Sequence, residues 1–166
     1  MAVAGGFVVL KEALSEAGER IYSTIGFAAN IFAGAAYLVW LTLHVGLYVV
    51  KVRDGQVPPE IVSLANVFDI LLFAACVLTY LTTAAFAAAM ERMRWLGRGA
   101  ARAYVIANLV ALLFIVARGL SFPDPNASST PWYTQPGFIA GIPAVPWIMP
   151  FLLGVVLLRR AGDEPA

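Results

Sequence analysis

Three side chains that can carry charge stand alone in long uncharged stretches of this 166-residue chain: His44 within residues 21–50, Asp69 within 61–90 and Arg118 within 103–122. An imidazole, a carboxylate and a guanidinium can relay a proton, pair as ions or hold a polar ligand. Each is costly inside an apolar run, which makes each a candidate functional group. Asn66 precedes Asp69 by three residues, and Trp147 lies in the uncharged stretch 125–158. His44, Asn66, Asp69, Arg118 and Trp147 are together read as a cofactor-binding cluster. No catalytic residue and no metal ligand is assigned.

The same inventory excludes several chemistries. His44 is the only histidine, so a haem held between two histidines of one chain is ruled out. Met90, Met93 and Met149 fall toward the inner side or the midplane of the expected spans, away from His44. A quinone, a lipid or a tetrapyrrole ligated by one histidine are the cofactors that fit. Cys76 is the only cysteine, which removes an intrachain disulfide and a cysteine-only metal site. The chain has no glycine-rich phosphate loop, His-Glu-x-x-His or Cys-x-x-Cys run. His44 and Asp69 could act as an acid–base pair, but without a nucleophile motif an enzyme is the third choice. A net charge of +1 gives no reason to expect nucleic acid.

The elements that must position these residues are membrane spans. The composition is 61% hydrophobic and 13% charged, against about 25% charged in soluble domains. An apolar run of roughly 20 residues crosses a bilayer as a helix. Four such runs are present, over about residues 25–50, 60–90, 101–121 and 137–158. The expected fold is therefore all-α: a polytopic membrane protein with four transmembrane helices in one bundle. Residues 1–20 are expected to form an N-terminal amphipathic interfacial helix, 21–160 the transmembrane domain and 161–166 a polar tail. The start of the chain does not read as a secretory signal, because it lacks a basic region and a long apolar run.

Within the spans the polar side chains fall on stripes. Asn30, Tyr37 and His44 recur every seven residues, with Ala33, Trp40 and Tyr48 on the same face. Asp69, Cys76 and Thr83 do so in the second span, beside Asn66, Phe73 and Tyr80. Tyr104, Asn108, Ala111, Ile115 and Arg118 follow spacings of three and four in the third. In lipid such stripes should face one another. His44, Asp69 and Arg118 then share the outer third of the bundle, where an Asp69–Arg118 ion pair is expected. Asn30, Thr83 and Asn108 share the inner third, where interhelical hydrogen bonding is the simplest role. Gly26, Ala29, Ala33 and Ala36 permit close helix contact.

The fourth span carries Pro143, Pro146 and Pro150, each of which removes a backbone donor and crowds the preceding turn. A proline-broken helix at membrane depth must be buried in protein or line a cavity. The preceding loop, 121–136, holds four prolines and reads as irregular. At the other end of the chain, Phe7, Leu10, Leu14, Ala17 and Ile21 form one apolar stripe. Lys11, Glu12, Ser15, Glu16 and Glu19 take the opposite face. That helix either lies in the membrane interface or packs on a partner subunit.

Basic residues set the orientation. Lys11, Arg20, Arg92, Arg94, Arg98, Arg102, Arg159 and Arg160 fall on one side of the four-span topology, and only Lys51, Arg53 and Arg118 on the other. Both termini are expected in the cytoplasm, with loops 51–60 and 119–136 outside. Nine arginines against two lysines suggest a prokaryotic source, hence the cytoplasmic membrane. The expected function is a non-catalytic membrane subunit of a larger, energy-transducing complex, with the bilayer and other membrane subunits as partners. The alternative is a small oligomeric proton-coupled transporter or channel using Asp69 and His44.

Overall fold

The computed structural model describes residues 2–120, 151, 153–155 and 157–159; the side chains of 2–4, 62–67, 69 and 118–120 lie outside that description. Every regular element within it is helical: α1 (Ala2–Glu16), α2 (Ile21–Asp54), α3 (Pro59–Arg92) and α4 (Arg98–Leu120). Three helices, α2, α3 and α4, are long and apolar enough to cross a membrane. The proline-broken first part of the expected fourth span, the loop before it and Trp147 lie outside the described residues. The end of that span is helical where described, between Phe151 and Arg159.

The helix boundaries follow from local chemistry. Gly18, at φ 98°, ends α1. Its N–H reaches the Ser15 carbonyl at 3.1 Å, and the Glu19 N–H reaches the Leu14 carbonyl at 2.8 Å. This is the Schellman closure, in which a left-handed residue lets the chain turn back on the last carbonyls. The expected stripe over 7–21 is thereby corrected at its end. Ile21 does not continue it but starts α2 with its side chain exposed. Glu19 is likewise displaced from the polar face of α1 into the junction, where it is only 3% exposed. Gly55, at φ 76°, closes α2 on the Lys51 carbonyl, and Pro59 opens α3 at a position where its missing N–H costs nothing.

Packing is organised around α3. Half of its most apolar window is buried, against 6% for α2 and 17% for α4. Two apolar clusters hold the helices together. One, called inner only by the expected orientation, joins Phe7, Leu10 and Leu14 of α1 to Phe86, Ala87, Ala89 and Met90 of α3, then to Leu96, Ala101 and Leu153. So α1 lays its apolar face on this chain's own bundle, and the helical residues after 150 return to the same end. The outer one joins Leu72, Cys76 and Tyr80 of α3 to Ile115 of α4, with Tyr37 and Trp40 of α2 against them.

Small residues allow the close approach of α2 to α3. A Cβ built on Gly26 would stand 2.9 Å from the Phe86 ring and 3.3 Å from the Ala85 Cβ. Phe86 cannot yield easily, because Phe7 stacks on it at 4.9 Å. Ala29 and Ala33 continue the buried face of α2. Beyond Trp40 that face opens, and Tyr48, which shares the stripe in sequence, is 69% exposed.

Candidate functional site

Thr83 of the α3 stripe and Asn108 of the α4 stripe meet where the spacing places them. Thr83 and Asn108 are both fully buried, between the two apolar clusters. The Thr83 hydroxyl donates to Asn108 Oδ1 at 2.6 Å, and Asn108 Nδ2 donates to the Tyr104 carbonyl at 2.7 Å. The Thr79 and Tyr80 carbonyls also lie within reach of that hydroxyl, at 3.0 and 3.1 Å. One hydroxyl proton serves one good acceptor, and the shortest contact crosses between helices. The amide thus bridges α3 and α4 with its oxygen and bonds its own helix with its nitrogen. Asn30 belongs to the same layer. It lies four residues beyond Gly26, which meets Ala85 and Phe86 on antiparallel α3. Its Nδ2 is buried and, among the described residues, has no hydrogen-bond partner.

The outer cluster is defined in part. His44 Nδ1 lies 3.0 Å from the Trp40 carbonyl, one turn back on α2. A carbonyl only accepts, so this contact places a proton on Nδ1. The imidazole lies against the Trp40 indole, with ring centroids 4.3 Å apart, and Trp40 in turn meets Tyr37 at 5.8 Å. The three rings form an aromatic run along α2, beside the outer apolar cluster.

Asn66 and Asp69 lie on α3 and Arg118 on α4, and their side chains fall outside the described residues, as does all of Trp147. The backbone nevertheless sets their level. Trp40, Leu72 and Ile115 share the outer cluster. His44 is four residues beyond Trp40, Asp69 three before Leu72 and Arg118 three beyond Ile115. All three positions therefore stand about one helical turn past the same cluster.

No group of three or more His, Cys, Asp or Glu side chains among the described residues is arranged to hold a metal ion. Cys76 is buried in the outer cluster and packs as a small apolar residue.

Glu19 is a site residue that periodicity misplaces. Its carboxylate accepts N–H bonds from Ile21, Tyr22 and Ser23 at 3.1, 2.9 and 2.9 Å. The Ser23 hydroxyl donates to the Glu19 carbonyl at 2.9 Å. An acid at the positive end of a long helix is favoured by the dipole and by the first-turn donors. Burial pushes the carboxyl pKa up. The bonds from Tyr22, Ser23 and Ile21 outweigh it and hold the pKa below its ordinary value. Gly18 is the sequence signal that would have found this break, since glycine commonly stands just past a helix end.

No protein-family model, curated protein or solved structure matches this chain.

Proposed function

We propose that this chain is a non-catalytic integral membrane subunit that packs against other subunits of a larger membrane complex. The observation that carries the reading is the closure of the inner end. Leu14, Phe86, Ala87, Ala89, Met90 and Ala101 are all 0% exposed. The buried Thr83–Asn108 pair above them is satisfied within the bundle. A scaffold needs such a dry half, whereas a transporter needs polar access from both ends. Large apolar side chains of α2 and α4, among them Phe32, Val39, Val52, Leu113 and Phe114, remain exposed and offer area to lipid or to neighbouring subunits.

The proposal extends to an energy-transducing complex and to a fourth span. The turn-by-turn agreement of His44, Asp69 and Arg118 supports a polar ligand site at the outer end. The Tyr37–Trp40–His44 run would offer a quinone or a ring pigment an aromatic wall. Burial of Leu153 among α1, α3 and α4 supports a last helix that ends at the inner face. That arrangement leaves both termini on the side of the arginine-rich α3–α4 loop.

The test is gentle solubilisation of native membranes followed by capture on a tagged chain. Stoichiometric membrane proteins should accompany it. Visible absorption of the same sample should report a tetrapyrrole, and organic extraction a quinone. A lone monomer that carries protons across liposomes, and loses that flux in Asp69→Asn, would replace this reading with the transport alternative.

A further inference from the structure

The α3–α4 connection is built in an unusual way. The Arg94 N–H reaches the Glu91 carbonyl at 3.0 Å, and the Trp95 N–H reaches the Met90 carbonyl at 2.9 Å. This is a second Schellman closure, and its left-handed residue is Arg94, at φ 58°. Glycine is the usual occupant of that position because a Cβ is disfavoured there. Arg94 is the only non-glycine residue with positive φ among the described residues. An outlier of this kind motivates a search for what the side chain does.

Arg94 lines an open cavity of about 600 Å³ together with Arg92, Arg98, Glu91, Leu96 and Gly97. Among the described residues, that lining carries three arginines and one glutamate, so its formal charge is positive. Arg92 is held over the Tyr22 ring of α2, at 5.4 Å. Leu96 is buried in the inner apolar cluster and Trp95 packs against it, which fixes the loop to the bundle. The cavity lies where α3 ends and α4 begins, which on the membrane reading of these two helices is the headgroup level. Positive charge for topology alone requires neither a cavity nor an arginine at a glycine position.

We propose that this cavity binds the phosphate of an anionic phospholipid, held by the guanidinium groups of Arg92, Arg94 and Arg98. Planar guanidinium forks match phosphate oxygens in pairs. The proposal rests on the membrane reading of α2, α3 and α4 and not on any partner subunit. A chain that stays monodisperse without detergent would undo the membrane reading separately.

The experiment uses the purified full chain in neutral detergent micelles, titrated with short-chain phosphatidylglycerol, matched phosphatidylcholine or inorganic phosphate. Retained lipid and the shift in unfolding temperature are read. Phosphatidylglycerol should bind and phosphatidylcholine should not compete. Arg94→Gly should bind it about tenfold more weakly, the loss expected for one charge-assisted hydrogen bond. Its unliganded unfolding temperature should be equal or higher, which separates lost binding from lost fold. Arg92→Gln with Arg98→Gln should lose more. Arg102→Gln removes an exposed charge outside the cavity lining and should bind as the parent does. Inorganic phosphate that displaces the lipid at similar concentration would support the site and assign it to a free ion. Equal binding by parent and Arg94→Gly would overturn the proposal. So would a loss in Arg102→Gln as large as in Arg94→Gly, or equal retention of the two lipids.

Discussion

At the scale of single residues, the two polar layers call for opposite treatments. Thr83 and Asn108 are uncharged and their bridging bond is short, so the energetic question is how much a satisfied interhelical bond stabilises. Such bonds in membranes average about 0.6 kcal/mol and reach about 1.7 kcal/mol. A double-mutant cycle of Thr83→Val and Asn108→Leu should give a coupling in that range, read from unfolding in mixed micelles. Coupling near zero would show that the bridge holds nothing. Asp69 and Arg118 pose the harder case, because a charge left alone at that depth is expensive. If they pair, removal of either partner should destabilise by about 3–5 kcal/mol, while Asp69→Leu with Arg118→Leu should be close to neutral. Equal and additive losses would show that the two side chains do not meet. The inner layer was legible from sequence because seven-residue spacing puts Cys76 and Thr83 on one face, and Asn108 falls on the matching face of α4. Its hydrogen-bond directions were not legible, since spacing says nothing about which amide atom turns inward. That Asn30 Nδ2 finds no partner among the described residues was equally out of reach.

At the scale of elements, the junction between α1 and α2 shows how a local signal overrides a longer pattern. A stripe continued from Phe7 to Ile21 describes one helix, and the three buried positions Phe7, Leu10 and Leu14 keep its phase. Gly18 then ends it, and Glu19 starts the next helix by accepting three N–H bonds. The carboxylate performs this role only when ionised. Its folded pKa is lowered from the ordinary 4.5, so its contribution is fully present above that value and is lost as pH falls through the folded pKa. Unfolding temperature should therefore drop below about pH 4.5 more steeply in the parent than in Glu19→Gln. At neutral pH, Glu19→Gln should be less stable by about 1–2 kcal/mol, in keeping with other lost helix caps. Superimposable pH profiles would remove Glu19 from the account of this junction. The helix centres were readable because apolar runs of this length have few alternatives. The boundaries depended on glycines at φ 98° and 76° in the first two junctions and one arginine at φ 58° in the third.

At the scale of the whole molecule, charge is sorted by end. The inner apolar cluster ties together α1, the end of α3, the start of α4 and the helical residues after 150. Lys11, Arg20, Arg92, Arg94, Arg98, Arg102 and Arg159 all belong to these segments or border them. The other end of the same helices carries Lys51 and Arg53, in the last turn of α2. Such an imbalance in short connections orients membrane proteins with the basic end in the cytoplasm. The sorting was visible in sequence once the spans were marked, because it needs only the order of loops. The position of α1 was not, since an amphipathic helix can lie on lipid, on a partner or on its own chain. Its apolar face packs in one cluster with Phe86 and Met90 of its own chain. Orientation can be tested by labelling because the single native thiol, Cys76, is buried within the bundle and should stay silent. A cysteine placed at exposed Ala100, in the first turn of α4, should resist an impermeant thiol reagent in intact cells and react once the membrane is opened. A cysteine at Ser129, nine residues after the end of α4, should react from outside without opening. This pairing fixes which side holds the arginine cavity and which holds the His44, Asp69 and Arg118 level. The reverse labelling pattern would exchange the two faces, and the cavity would then meet the outer leaflet. Equal labelling at both positions in intact cells would contradict α4 as a membrane-crossing helix.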